Sequence, residues 1–257
     1  MCTVSWFWTA EGYQLFGNRD ESRSRRQALP PRRAEQDGVA YLAPVDADAG
    51  GTWIAANELG VTLTLLNFYQ ADAVGPRGSG GAAVSRGRLV QALAGAASVA
   101  RVGEGLRLQD LARFRPFTLL ALEPGRADAW QWDGRNLSSL GEQPPMPLIS
   151  SGVTLAAAIA HRRASFEHLR GEGELAGSEL HLRFHASHWP EASSLSVCMH
   201  RPDAETQSLS WVRVERHGVL FSYAGGSPCR TELAPPVELP RGAQAPAEAA
   251  ELSSLAP

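Results

Sequence analysis

Residues 3–8 (TVSWFW) and 13–17 (YQLFG) are apolar runs rich in β-branched and aromatic residues, and Glu11-Gly12 lies between them. Two such runs around a turn signal close into an antiparallel hairpin. No other stretch constrains the chain as much, because this hairpin returns residues 18–20 to the neighbourhood of residue 2. It sets Cys2 beside Asn18, Arg19, Asp20 and Glu21. Met1 before a small residue is normally trimmed, which leaves Cys2 with a thiol and a free α-amine on one residue. The thiolate is the attacking form of cysteine. An α-amine titrates near roughly 8, so it accepts the thiol proton near neutral pH. In this arrangement Arg19 favours the thiolate, lowers the thiol pKa and pairs bidentately with a substrate carboxylate. Asp20 holds the α-amine. Asn67, ending the run VTLTLLN, offers a side-chain amide to a developing oxyanion. The plainer reading of Asn18–Glu21 is a solvated turn.

Composition removes several alternatives. The 257 residues suffice for one large domain with a sizeable core, and the net charge of −3 supplies no general field for nucleic acid. No apolar run reaches the roughly 18 residues of a membrane span. The start lacks a basic segment followed by an apolar core and a small-residue cleavage site, so no signal peptide is read. Cys2, Cys198 and Cys229 show no short paired spacing. This argues against a disulfide scaffold and a zinc knuckle, and for a reduced, cytoplasmic setting. All 24 basic residues are arginine. Schiff-base chemistry, a GxxxxGK phosphate loop and a Ser–Lys dyad are thereby excluded.

Residues 22–38, rich in arginine and proline, read as a long loop. Strands follow at 40–43, 52–57 and 61–67, then a Gly/Ala-rich flexible loop at 70–83. Ser85 heads a predicted helix over 86–98, and a short helix near 108–114 precedes strands at 117–122 and 127–132. A proline-rich connection at 141–147 leads to a helix over 154–169, with Thr154 as its N-cap. Strands at 195–200, 209–215 and 219–223 complete a single domain over 1–240, and an Ala/Pro/Glu-rich tail at 241–257 frays. Strands in two groups with helices between them predict stacked sheets covered by helices.

The stretches MCTVSW, FGNRDE, GGTWIAANELGVTLTLLNFY and SRGRLV resemble the NRDE family, also called the transport and Golgi organisation family. Its tetrapeptide stands here as Asn18-Arg19-Asp20-Glu21. PFTLL, WQWDG, LISSG and SVCMHRPDAETQS extend the resemblance to about residue 230. The family in turn resembles the N-terminal nucleophile hydrolases of the bile-salt and penicillin V amidase type and their acyltransferase relatives. That resemblance implies an α+β, four-layer αββα sandwich. It implies Cys2 as nucleophile, Arg19 and Asp20 at its side, and Asn67 in the oxyanion hole. A second oxyanion asparagine of those amidases is replaced here within LISSG by Ser150 or Ser151. Arg201 is the candidate for a later arginine.

His181, His185 and His188 lie in GELAGSELHLRFHASHWP. On a helix His181 and His185 share a face as metal ligands can, but no HExxH pattern and no acidic third ligand accompany them, so no metal is assigned. His188 and His200 instead resemble mouth-lining residues of the acyltransferase relatives. With Asn18, Glu21, Ser150, Ser151 and Arg201 they make up the substrate-binding set. The arginines at 23, 25, 26, 32 and 33 form a basic rim for an anionic substrate, or a solvated loop. Cys198 reads as buried packing. Two functions follow. The first is a cysteine hydrolase or acyltransferase acting on an amide or thioester of a small acyl substrate, with no cofactor and no nucleic-acid partner. The alternative is a non-catalytic binding or trafficking protein for haem or acyl-coenzyme A on the same fold. Nothing in the sequence fixes an oligomeric state.

Overall fold

The computed structural model describes residues 2–74, 84–152, 154–173 and 175–241. Of the flexible loop expected over 70–83, the first residues belong to a 3₁₀ helix at Tyr69–Val74; residues 75–83, like Met1 and the tail 242–257 with their expected trimming and fraying, lie outside the described residues. Thirteen strands form two antiparallel sheets among those residues. The first sheet has six strands in the order β10-β1-β2-β11-β12-β13. Its members are β1 (Cys2–Thr9), β2 (Gly12–Ser22), β10 (Leu148–Ser150), β11 (Ala204–Val214), β12 (Gly218–Ala224) and β13 (Val237–Pro240). The second sheet runs β3-β4-β5-β6-β7-β8-β9. It contains β3 (Leu29–Gln36), β4 (Val39–Val45), β5 (Ile54–Asn57), β6 (Thr62–Asn67), β7 (Phe117–Glu123), β8 (Arg126–Trp132) and β9 (Leu137–Gly141).

Alternation along the strands decides the layering. Val4, Leu15 and Val212 of the first sheet meet Leu42, Ile54 and Leu120 of the second in one buried core. On the outer face of the second sheet, Leu63 and Leu119 pack under Leu89 of α1 (Gly87–Leu93) and Val102 of α2 (Val99–Leu108). Beyond the first sheet, Phe166 of α3 (Leu155–Gly171) packs with Leu180 and Phe184 of α4 (Gly177–His185). The result is the αββα sandwich. No helix among the described residues is long and apolar enough to cross a membrane.

Residues 22–38 are not one long loop, because 29–36 form β3. Proline cannot donate to a ladder, so Pro30 and Pro31 obscure the strand in the sequence. The sheet tolerates them because β3 is an edge strand and its register with β4 shifts between Leu29 and Arg32. The predicted helix over 86–98 is divided: α1 ends at Leu93, and Ser98 starts α2 by accepting from the Arg101 amide at 3.2 Å. Only a 3₁₀ turn at Leu111–Arg113 forms near 108–114. The stretch 195–200 is mostly irregular, joining the sheet through a single bridge between His200 and Glu205.

Candidate active site

The hairpin places Cys2 opposite Arg19, and β10 places Ser150 opposite Cys2 on the other side. Directly opposed residues share a face of the sheet. Val4, two residues along β1, lies in the core between the sheets, so the Cys2 thiol also faces that interior and packs partly against it. Cys2 is half-buried, and Ser150 is 5% exposed with its Oγ lacking a hydrogen-bond partner. Burial pushes the Cys2 thiol above its ordinary value, and the Asp20 charge adds to that rise; the positive charge of the chain's N-terminus, a backbone hydrogen bond from Asp20 and, least of all, Arg19 act against it. With Met1 still attached, the direction is opposite to the lowered thiol pKa expected of a mature Cys2. Desolvation outweighs the one flanking guanidinium.

That guanidinium is itself engaged. Arg19 Nη2 stands 3.1 Å from Glu21 and 2.9 Å from Asp46, and the group lies over the Trp53 ring at 4.6 Å. Trp53 follows the Gly50-Gly51 turn, where the backbone of Gly51 lies against that of Gly87 at the start of α1. Arg25 pairs with Asp46 at 2.7 Å, and Arg26 with Asp48 at 2.6 Å. Acidic partners thus engage Arg19, Arg25 and Arg26.

Asp20 points to the helical side of the sheet. Its carboxylate accepts from Thr206 Oγ1 at 2.6 Å and from Arg162 Nη2 at 3.3 Å. Arg162, from α3, is fully buried; it also donates to Thr3 Oγ1 and to the Leu195 carbonyl at 3.1 Å. Neither Arg162 nor Thr206 was singled out in the sequence. Their only signal was an arginine inside a helix whose neighbours gave no clean apolar stripe.

A cavity of about 490 Å³ opens over Cys2 and is walled by Arg19, Glu21, Trp53, Asn67 and Arg115 among others. Asn67 Nδ2 donates to the Tyr69 hydroxyl at 2.8 Å. Burial raises the Tyr69 pKa, and Cys2 is among its electrostatic neighbours. Arg201 lies away from this cavity, on a smaller one of about 260 Å³ that reaches Asp20 and Tyr69. Ser151 is fully buried, and its carbonyl accepts from Gln70 at 3.0 Å.

Other predicted residues stand elsewhere. Asn18 does not line the cavity: its amide donates to the carbonyls of His185 and Val197, at 2.9 and 3.0 Å, because it points under α4. His181 and His185 share a helix face, but His181 Nδ1 and His185 Nε2 both meet Ser5 Oγ, at 2.7 and 2.8 Å, inside an aromatic cluster with Phe16. Burial lowers the His181 pKa to about 4 and that of His185 well below its usual value. His188 and His200 gather instead with Cys198 and Cys229, away from the cavity over Cys2.

These two sheets, with a cysteine at the head of a central strand, define the fold of the N-terminal nucleophile hydrolases. A cysteine-to-alanine mutant of the conjugated bile acid hydrolase from Clostridium perfringens superposes with a TM-score of 0.57 at 12% identity, covering 91% of this chain and 92% of that one. An N-acylethanolamine-hydrolyzing acid amidase ortholog from Caenorhabditis elegans gives 0.56 at 10% identity, covering 82% of this chain and 92% of the other. No curated protein matches in sequence. The chain belongs to the Transport and Golgi organisation 2 family, whose model matches residues 1–146.

Proposed function

We propose that the protein is a cysteine amidohydrolase or acyltransferase with Cys2 as nucleophile. The observation that carries this is the pairing of Cys2 between Arg19 and Ser150 at the wall of the cavity. With Met1 removed, the α-amine of Cys2 takes the thiol proton as sulfur attacks the substrate carbonyl. The carbon–sulfur bond forms and the carbonyl electron pair moves to oxygen. Asn67 and the Ser150 hydroxyl are the candidate donors to that oxyanion. Collapse breaks the bond to the leaving group, which takes the proton from the ammonium, and water then hydrolyses the acyl-enzyme.

The two structural neighbours are named for hydrolysis of conjugated bile acids and of N-acylethanolamines, which supports an amide as substrate. A cargo carrier for haem or acyl-coenzyme A would draw on Arg115 at the cavity wall, because Arg19 and Arg25 are committed to Asp46. Intact mass after single-turnover reaction with an activated thioester tests the proposal. Wild type should gain one acyl group on Cys2, and Cys2→Ala should gain none. Wild type inert to every activated donor would leave the fold without this chemistry.

A further inference from the structure

Four side chains from three segments converge on the outer side of the first sheet. His188 follows α4, Cys198 and His200 precede β11, and Cys229 lies in the turn after β12. One nitrogen or sulfur from each falls within 4.8 Å of all the others. His200 Nε2 is 3.6 Å from Cys198 Sγ and 3.3 Å from Cys229 Sγ. On a tetrahedral zinc ion, with bonds of about 2.3 Å to sulfur and about 2.05 Å to nitrogen, those atoms stand about 3.5 Å apart. We propose that His188, Cys198, His200 and Cys229 form a structural site for a tetrahedral divalent metal ion, zinc by its donor chemistry.

The surroundings suit that role. His188 Nε2 is buried without a hydrogen-bond partner. His200 turns Nε2 to both sulfurs and leaves Nδ1 facing the Glu205 carboxylate at 3.7 Å. At that distance the carboxylate attracts the imidazole by charge, without a hydrogen bond to Nδ1. The Cys198 amide donates to the Ser187 carbonyl at 3.1 Å, which holds the two ligand segments together before any ion arrives. Two thiolates balance a dication, with their protons released to solvent. A Cys198–Cys229 disulfide is the competing chemistry. It would leave unexplained an imidazole nitrogen within reach of both sulfurs.

The site reaches the buried Asp20 through one residue. Met199, between two of the ligands, donates its amide to Thr206 Oγ1 at 2.9 Å and accepts from the Thr206 amide at 2.9 Å. Thr206 Oγ1 therefore spends its single proton on Asp20, at 2.6 Å. Ser227, two residues before Cys229, donates to the Thr206 carbonyl at 2.7 Å. The ion would fasten both segments that hold Thr206, and so the strand that orients Asp20.

The experiment measures metal in the purified protein and titrates reduced, metal-free protein with Co²⁺. The expected result is one metal ion per chain, and a cobalt spectrum showing tetrahedral ligand-field bands with thiolate charge transfer. Cys229→Ser and His188→Ala should each weaken cobalt binding by about tenfold or more. Both positions are only partly buried, and if a variant fails to fold the wild-type spectrum decides. Cys2→Ala should bind cobalt normally, which separates this site from the hydrolase reading. Folded, reduced protein that gives no tetrahedral cobalt spectrum overturns the proposal. So does a spectrum that both variants leave unchanged, or a Cys198–Cys229 disulfide that on reduction takes up no metal.

Discussion

Arg162 shows what one buried charge controls. Both it and the Asp20 side chain are excluded from water, at 0% and 1% exposure, so each contributes to the other's charge balance. Removing one partner of a buried pair leaves the second uncompensated, a loss of about 3–5 kcal/mol. Arg162→Leu should cost that much in urea unfolding, and adding Asp20→Asn should recover part of it. Additive losses in the double-mutant cycle would mean that the pair is not coupled. Asn67 belongs to the same scale but to another step. Losing one oxyanion donor typically slows turnover by about 10²–10³. Asn67→Ala should therefore slow Cys2 acylation by that factor while leaving ligand affinity nearly unchanged, since the oxyanion exists only after attack. Equal losses in rate and affinity would make Asn67 a binding residue.

At the scale of elements, the turn at Gly50–Gly51 positions Trp53, and its tolerance is small. A Cβ on Gly51 would stand 2.8 Å from the Cα and carbonyl carbon of Gly87, and 3.1 Å from the Arg88 amide. Backbone cannot swing aside as a side chain can, so Gly51→Ala should cost about 1–3 kcal/mol. At about 2–4 °C per kcal/mol for a chain of this size, the melting temperature should fall by several degrees. An unchanged melting temperature would show that α1 shifts freely. The elements that sequence revealed are those whose periodicity is undisturbed. The hairpin of β1 and β2 has clean alternation and a clear turn, so Cys2 beside Arg19 was legible from spacing. Edge strands β3, β9 and β13 were not, because they carry proline or little apolar patterning. The Cys/His cluster was illegible for another reason: its ligands are spaced by tertiary packing of three irregular segments, which no local motif records.

For the whole molecule, acid stability follows from what α4 buries against the first sheet. The sequence allows His181 and His185 to share a helix face; α4 does form, and it puts both on Ser5, beneath Phe16, with His185 beside Arg162. Burial holds the His181 pKa at about 4, below its ordinary 6.5. Between those two values the unfolded chain binds a proton that the folded one refuses, so stability rises with pH across this window. The contribution is complete above about pH 6.5, declines as pH falls toward about 4, and is constant below that. For His181 alone the change is about 3 kcal/mol, and His185, shifted in the same direction, adds to it. Urea unfolding at a series of pH values from 7 to 4 should show this decline. In His181→Leu the imidazole is gone and the slope should become shallower, with stability at pH 4 closer to that at pH 7. A slope identical to wild type would assign the acid sensitivity to the carboxylates paired around Asp46 instead of to this buried imidazole pair.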